Sequence, residues 1–287
     1  MDWDKHSGHW PHAQHSKFIL CKPHRWHVQE MGEGPLLLLL HGAGGGVQSW
    51  RHLMPLLAKN YRVIAMDLPG QGFTKCGAQQ RLGLIPIAQD ISKLCADQEW
   101  VPAAIIGHSA GGALALQMAQ DMTPAPPVIG INAALGNFKG LAGLLFPLIA
   151  KALAMTPMVA RFFTASTSRS GSIKRLIEGT GSTLPDEDLI WYQALIGDAG
   201  HVDGTLGMMA QWNLDPLLRK LHQHPSETLL IVGDRDKAVP PSTSLECAGI
   251  MPAAEVVTLP ELGHLAHEED AGTVLTPILA FLQQKIR

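Results

Sequence analysis

The sequence predicts an α/β fold: a mostly parallel central sheet, helices on both faces, and an inserted helical cap. Three observations predict it. Short apolar runs alternate with helical stretches through most of the chain, the pattern of strand–helix–strand units. Polar residues suited to chemistry (His41, Asp67, Ser109 and the pair Asp234/Asp236) each fall just after one of those runs. In such sheets, ligands bind outside the carboxyl ends of the strands. Finally, residues 134–213 break the alternation with a long, helical, initially apolar segment, which would lie over that edge as a cap.

The elements follow in order. Residues 1–15 are polar and histidine-rich and read as a loosely held arm. Ser16–Cys21 and Arg25–Gln29 read as an antiparallel hairpin. Met31-Gly32-Glu33-Gly34-Pro35 is a turn. Leu36–Leu40 is too short to span a bilayer and reads as a buried central strand. Ser49 is placed to cap a helix to about Leu57. Tyr61–Met66 is a strand, about Leu84 to Cys95 a helix, and Ala103–Ile106 a strand. Val128–Asn132, Glu227–Val232 and Glu255–Leu259 are further strands, and a helix from about Ala271 to Lys285 closes the chain. The core is therefore expected over 16–133 and 214–287, with the cap over 134–213.

Composition excludes several classes of function. Hydrophobic residues make up 46% and charged residues 16%, so a large core is expected and disorder is not. The net charge is −3 without a basic run, which gives nucleic-acid binding no electrostatic support. Cys21, Cys76, Cys95 and Cys247 are widely spaced with no C-x-x-C pair, so buried thiols are expected rather than zinc or redox motifs. No apolar signal core opens the chain, which points to a cytoplasmic protein. His6, His9, His12 and His15 recur at a spacing of three, but no acidic or cysteine constellation accompanies them, so a solvated arm is expected and no metal or other cofactor.

Gly107-His108-Ser109-Ala110-Gly111 carries the chemistry. This G-x-S-x-G run joins an apolar strand to a small-residue helix, the context that lifts a serine out at a tight turn. Glycines flank the serine because side chains there would collide with the neighbouring strand and helix. A serine hydroxyl needs a base to take its proton, normally a histidine held by a carboxylate. Downstream, Gly233-Asp234-Arg235-Asp236 and Gly263-His264-Leu265-Ala266-His267 each follow a strand, in the order Ser…Asp…His. Asp234 and Asp236 compete as the acid, and His264 and His267 as the base; His267 sits one helical turn on, beside Glu268 and Glu269.

Taken together, His41-Gly42 with Trp50, Asp67-Leu68-Pro69-Gly70-Gln71-Gly72, the serine turn, Gly233-x-x-Asp236-x-x-Val239-Pro240 and Gly263-His264 resemble the α/β-hydrolase superfamily over nearly the whole chain. Gln71 departs from the pattern, which often has histidine there. The resemblance implies Ser109 as nucleophile, Asp236 as acid and His264 as base. It also implies two backbone donors for a developing oxyanion: Ala110, and Ala43 or otherwise Gly44. His41 would brace that turn, and His108 reads as a packing residue. Within the superfamily the chain is most similar to the magnesium chelatase accessory protein (BchO) family of bacteriochlorophyll-producing bacteria. That similarity rests on Trp26-His27-Val28-Gln29, Ser49–Leu57, Gly179–Leu184, Gly200-His201-Val202, Gly204–Trp212 and Gly263–Glu269. It implies a role around magnesium insertion into protoporphyrin, with magnesium chelatase as a partner.

The cap decides the substrate. Phe138–Met155 carries only Lys139 and Lys151 as charges. It reads either as helices packed on the core, or as a roof over a large apolar substrate or a patch resting on a membrane surface. Trp50, His201, Met208, Met209 and Trp212 are candidate substrate-lining residues, with core packing as the alternative. A serine hydrolase of esters, with tetrapyrrole and lipid esters as the candidate substrates, is the leading reading. A non-catalytic porphyrin-binding or chelatase-docking protein is the alternative. C–C bond hydrolysis is a weaker third reading, and Ser109 argues against dehalogenation, which uses an aspartate nucleophile.

Overall fold

A computed structural model describes residues 1–136 and 170–286. One eight-stranded sheet organises them: β1 (Ser16–Cys21), β2 (His24–Met31), β3 (Leu36–Leu40), β4 (Arg62–Met66), β5 (Ala104–His108), β6 (Val128–Ile131), β7 (Thr228–Gly233) and β8 (Ala254–Leu259). Their spatial order is β1-β2-β4-β3-β5-β6-β7-β8. β1 and β2 pair antiparallel, as does β2 with β4; every other pairing is parallel.

The five leucines of β3 show why the sheet carries helices on both faces. Successive side chains of a strand point to opposite sides. Leu36, Leu38 and Leu40 join one core cluster with Ile87, Ile91 and Leu114 from the helices Leu84–Asp97 and Ala110–Gln120. Leu37 and Leu39 join the other, with Trp50, Leu53 and, from the helix Ala271–Lys285, Val274 and Ile278. A strand buried on both faces needs a continuous apolar run rather than an alternating one.

The chain runs from β3 outward to β4, then crosses back to β5 on the far side of β3. Strand order reverses there, and the carboxyl ends of β3 and β5 are the switch point at which open α/β sheets place their ligand crevice. His41 and Ser109 stand at those two ends.

Three cap helices are described: Ser170–Gly179, Asp186–Ile196 and Ala199–Gln211. Arg51 latches the second of them to the core. Its guanidinium forks onto Asp188 (Nε–Oδ1 2.8 Å, Nη2–Oδ2 2.8 Å) and reaches Glu268 Oε2 at 2.5 Å. Tyr192 Oη donates to the other oxygen of Glu268. All four side chains are buried. The helix Ala199–Gln211 lies against the Asp67–Gly72 turn so closely that a Cβ at Gly204 would meet the Gly70 carbonyl oxygen at 2.1 Å. The apolar run Phe138–Met155 lies outside the described residues.

Two expectations need correction. The arm is docked, not loose. The Trp3 ring lies 4.9 Å from Phe73, and the Trp10 ring lies 4.8 Å from Phe73 and 5.6 Å from Trp191 of the cap. His12 Nε2 bonds the Arg51 carbonyl oxygen at 2.8 Å. Two tryptophans supply enough apolar surface to hold a polar segment in place. The helix expected from Ser49 is instead a 3₁₀ turn, Val47–Trp50, followed by Leu53–Leu57. Ser49 Oγ donates to the Gly46 carbonyl oxygen rather than accepting from the helix. Among the described residues no helix is long and apolar enough to cross a membrane.

Candidate active site

Ser109 links β5 to the helix Ala110–Gln120 with φ 52° and ψ −118°. A non-glycine residue held there costs on the order of 1–3 kcal/mol and persists only where its surroundings enforce it. Three backbone bonds do so: Ser109 N–H donates to the Ile131 carbonyl, and the Ser109 carbonyl accepts from Gly112 (3.0 Å) and Ala134 (2.9 Å). The flanking glycines are required by contact. A Cβ at Gly107 would lie 2.1 Å from the Gly111 carbonyl oxygen, and one at Gly111 would lie 2.0 Å from that of Leu40.

The two candidate acids separate cleanly. Asp236 is buried and its carboxylate is saturated by four donors. Oδ1 accepts the N–H groups of Ala238 and Val239 (2.8 Å each); Oδ2 accepts Asn132 Nδ2 (2.7 Å) and His264 Nδ1 (2.8 Å). Asp234 is exposed, and its Oδ1 accepts the Glu261 N–H, a turn contact. The candidate bases separate too. Asp236 holds Nδ1 of His264, leaving Nε2 for other work. His267 is fully buried between the rings of Trp50 (4.8 Å) and His108 (4.5 Å), and neither of its ring nitrogens has a hydrogen-bond partner. Sequence reading missed Asn132. Its place at the end of the apolar run Val128–Ile131 was the available signal, and in the structure it takes a positive φ of 46°.

The turn after β3 approaches the serine directly: a Cβ at Gly42 would sit 2.9 Å from Ser109 Cβ. The Gly42 carbonyl accepts from His41 Nδ1 (2.7 Å) and Gly45 N (3.0 Å). Carbonyl and N–H point opposite ways across a planar trans peptide, so these bonds also fix the direction of the Ala43 N–H. Ala110 opens its helix, where an N–H has no intrahelical acceptor. Gly44 is corrected here: its N–H is already donated to Gln71 Oε1 at 2.8 Å, which removes it as a free oxyanion donor.

The sequence profile of the α/β hydrolase fold matches residues 35–271. The chain belongs to the α/β-hydrolase fold family. It is 43% identical over 276 residues to the magnesium-chelatase 30 kDa subunit of Rhodobacter capsulatus, covering 96% of each chain. It is 27% identical to a 2-hydroxy-6-oxononadienedioate/2-hydroxy-6-oxononatrienedioate hydrolase of Comamonas testosteroni, over 90% of this chain and 91% of that one. Among solved structures, the epoxide hydrolase CorEH superposes with a TM-score of 0.78 at 19% identity, covering 94% of this chain and 98% of that one. The meta-cleavage product hydrolase CumD superposes with a TM-score of 0.75 at 23% identity, covering 93% and 98%. These structures share the fold.

In this hydrolase-fold chain, several residues read from sequence as substrate-lining serve the core. Trp50 is fully buried beneath the sheet with Leu53 and Leu57. Met208 is buried in the opposite cluster, and Trp212 packs half-buried against it. His201 is buried and bonded at both ring nitrogens, to Gly72 N (2.9 Å) and the Gly44 carbonyl (3.2 Å). Met209 is half-buried. Among the described residues, no cluster of three or more His, Cys, Asp and Glu is placed to hold a metal ion.

A second Ser–His–Asp chain shows what a catalytic set needs beyond hydrogen bonds. His27 Nδ1 meets Asp67 Oδ2 at 2.7 Å, and His27 Nε2 meets Ser16 Oγ at 3.0 Å. Here the serine opens an edge strand, with no helix N-terminus behind it. Gln29 Nε2 also donates to its hydroxyl. Asp67 further accepts from Val47 and Phe73 N–H groups, so it ties the β3 and β4 turns together.

Burial keeps the neighbouring histidines neutral. It pulls His267 down to about 3 and His201 to about 4, and holds His108 well below its usual value and His41 below it. The unfolded chain protonates histidine near pH 6.5. Between there and about pH 4, the unfolded state binds protons that folded His267 and His201 do not accept, and His108 and His41 act in the same direction. Stability therefore falls as pH falls through this window, by up to ~1.4 kcal/mol per pH unit for each such histidine. Thermal unfolding at pH 7.5 and at pH 5 checks this. The midpoint is expected to drop by many degrees, and an unchanged midpoint would show that these rings are not buried neutral.

Proposed function

We propose that the protein is a serine hydrolase of carboxylic esters. Ser109 is the nucleophile, His264 the general base and then general acid, and Asp236 the carboxylate that orients His264. One observation carries the reading: the strained serine at the sheet's switch point is accompanied by a buried histidine paired with a fully hydrogen-bonded aspartate. Ser109 Oγ attacks the ester carbonyl while His264 Nε2 takes its proton. The Ala43 and Ala110 N–H groups receive the developing oxyanion. The imidazolium, stabilised by Asp236, protonates the departing alkoxide, leaving an acyl-serine. Water, deprotonated by the same histidine, then releases the acid.

The substrate is a large apolar ester, and a tetrapyrrole ester is the leading candidate. Two things support this: the 43% identity to a protein named as a magnesium-chelatase subunit, and the apolar composition of Phe138–Met155. The same name supports association with magnesium chelatase in bacteriochlorophyll synthesis. It also favours a second reading, a porphyrin-binding or chelatase-docking protein that does not use the serine. The apolar segment is the part suited to meet a porphyrin or a membrane surface.

Turnover of p-nitrophenyl butyrate and of a porphyrin methyl ester, beside protoporphyrin binding followed by fluorescence quenching, separates the two readings. Hydrolysis of either ester supports the enzyme. Porphyrin binding by folded protein that hydrolyses neither supports the accessory role.

A further inference from the structure

The geometry points to Gln71 and, from the cap, His201 as positioning residues that hold the oxyanion turn in its working shape. This rests on the serine-hydrolase reading above and assigns part of its machinery to residues that never touch the substrate.

Three consecutive peptide groups of the turn are each gripped by a different side chain. The peptide joining Gly42 and Ala43 is held through its carbonyl by His41. The next is held through the Gly44 N–H by Gln71 Oε1 at 2.8 Å. The third is held through the Gly44 carbonyl by His201 Nε2 at 3.2 Å. Gly44 has a φ of 77°, a conformation open to glycine and not fixed by sterics alone. Its orientation therefore depends on these two bonds.

Both partners are themselves fixed. Gln71 is fully buried, and its Nε2 faces Met208 Sδ of the cap helix at 3.1 Å. His201 Nδ1 accepts the Gly72 N–H, so the ring carries its proton on Nε2 and donates to Gly44. His201 sits in the first turn of its helix, where the Asp198 side chain caps its N–H. Thr205, one turn on, comes within reach of Gly44: a Cβ there would lie 3.5 Å from its Cγ2. The cap helix thus closes over the turn and pins it, and docking of the cap and shaping of the oxyanion donor are one event. The chain has glutamine between the glycines of its Asp67–Gly72 turn, and that amide supplies the acceptor Gly44 needs.

The test compares wild type with Gln71→Met, His201→Leu, the double variant and His201→Gln, whose amide can reach the same carbonyl. Four quantities are read: kcat and KM on p-nitrophenyl butyrate, affinity for an aryl trifluoromethyl ketone, and the unfolding midpoint. Misplacing an oxyanion donor by under an ångström is expected to lower kcat about 10- to 100-fold. KM should stay within about twofold, because the ground-state carbonyl uses the donor less. Ketone affinity should fall in parallel with kcat, since the ketone forms the same oxyanion on serine. Losses in the double variant should be less than multiplicative, because both residues act on Gly44, and His201→Gln should recover most of the activity.

An unchanged kcat in folded single variants, or a rise in KM with ketone affinity intact, would overturn the inference. If a His201 variant does not fold, Gln71→Met reads the same coupling from the core side. An active wild type with indifferent variants defeats this inference alone. A wild type that neither turns over esters nor binds the ketone defeats the serine-hydrolase reading with it.

Discussion

Replacing Ser109 by alanine is expected to cut kcat on p-nitrophenyl butyrate by a factor of about 10⁶, leaving the residual rate that binding and oxyanion donors alone supply. The size of the effect follows from the chemistry. Without the hydroxyl no acyl-serine forms, and His264 has no proton to take. Stability should barely change, because the backbone bonds that enforce the turn run through the Ser109 N–H and carbonyl, not its side chain. Alanine also keeps a Cβ, so the positive φ is as costly as before. Full-progress kinetics on purified variant, with its unfolding midpoint measured beside wild type, checks both halves. Retained turnover would place the nucleophile elsewhere.

Asp236→Asn is expected to lower kcat about 10⁴-fold, against less than about threefold for Asp234→Asn. Four donors converge on Asp236, two on each oxygen. An asparagine offers one acceptor oxygen and an NH₂ group. If its oxygen faces Ala238 and Val239, its NH₂ meets Asn132 and His264, and His264 must give up the Nδ1-H tautomer that leaves Nε2 free as a base. If the amide flips, two half-buried backbone donors lose their acceptor, at up to about 1–3 kcal/mol each. Either way, catalysis is lost and the variant is also less stable. Asp234 loses only an exposed turn contact. Equal losses from the two substitutions, or a reversed order, would reassign the carboxylate.

Ser109, the Asp234/Asp236 pair and the His264/His267 pair were legible in the sequence because their signals are local, while only the family resemblance favoured Asp236 and His264 within each pair. Ser109 sits in a five-residue motif between a strand and a helix, and Asp236 and His264 stand in short runs just past strands. Leu36–Leu40 was legible as a two-sided strand because five leucines leave no polar face. What stayed hidden depends on pairs far apart in the chain. Gly44 meets Gln71 across 27 residues and His201 across 157. Arg51 finds Asp188 across 137 and Glu268 across 217. Nothing in local periodicity marks such partners.

The arm was misread for a different reason. Its histidines and charges dominate the count, yet Trp3 and Trp10 decide its position through the aromatic cluster at Phe73. Trp50 and Met208 show the converse: sequence leaves pocket wall and core packing both open for such large side chains near a site, and the structure places these two in the sheet's two cores. The serine chain at Ser16 carries the same lesson at atomic scale. Its hydrogen bonds run Ser–His–Asp, yet its serine opens an edge strand with no helix N-terminus behind it and takes a further bond from Gln29.

The most direct measurement is intact-mass analysis after exposure to a fluorophosphonate, with Ser109→Ala in parallel. An activated serine attacks phosphorus and expels fluoride, so wild type should gain one phosphonyl group per chain. Peptide mapping should place it on Ser109, and the variant should gain none. Folded wild type that stays unmodified, or an adduct that persists in Ser109→Ala, would contradict the account.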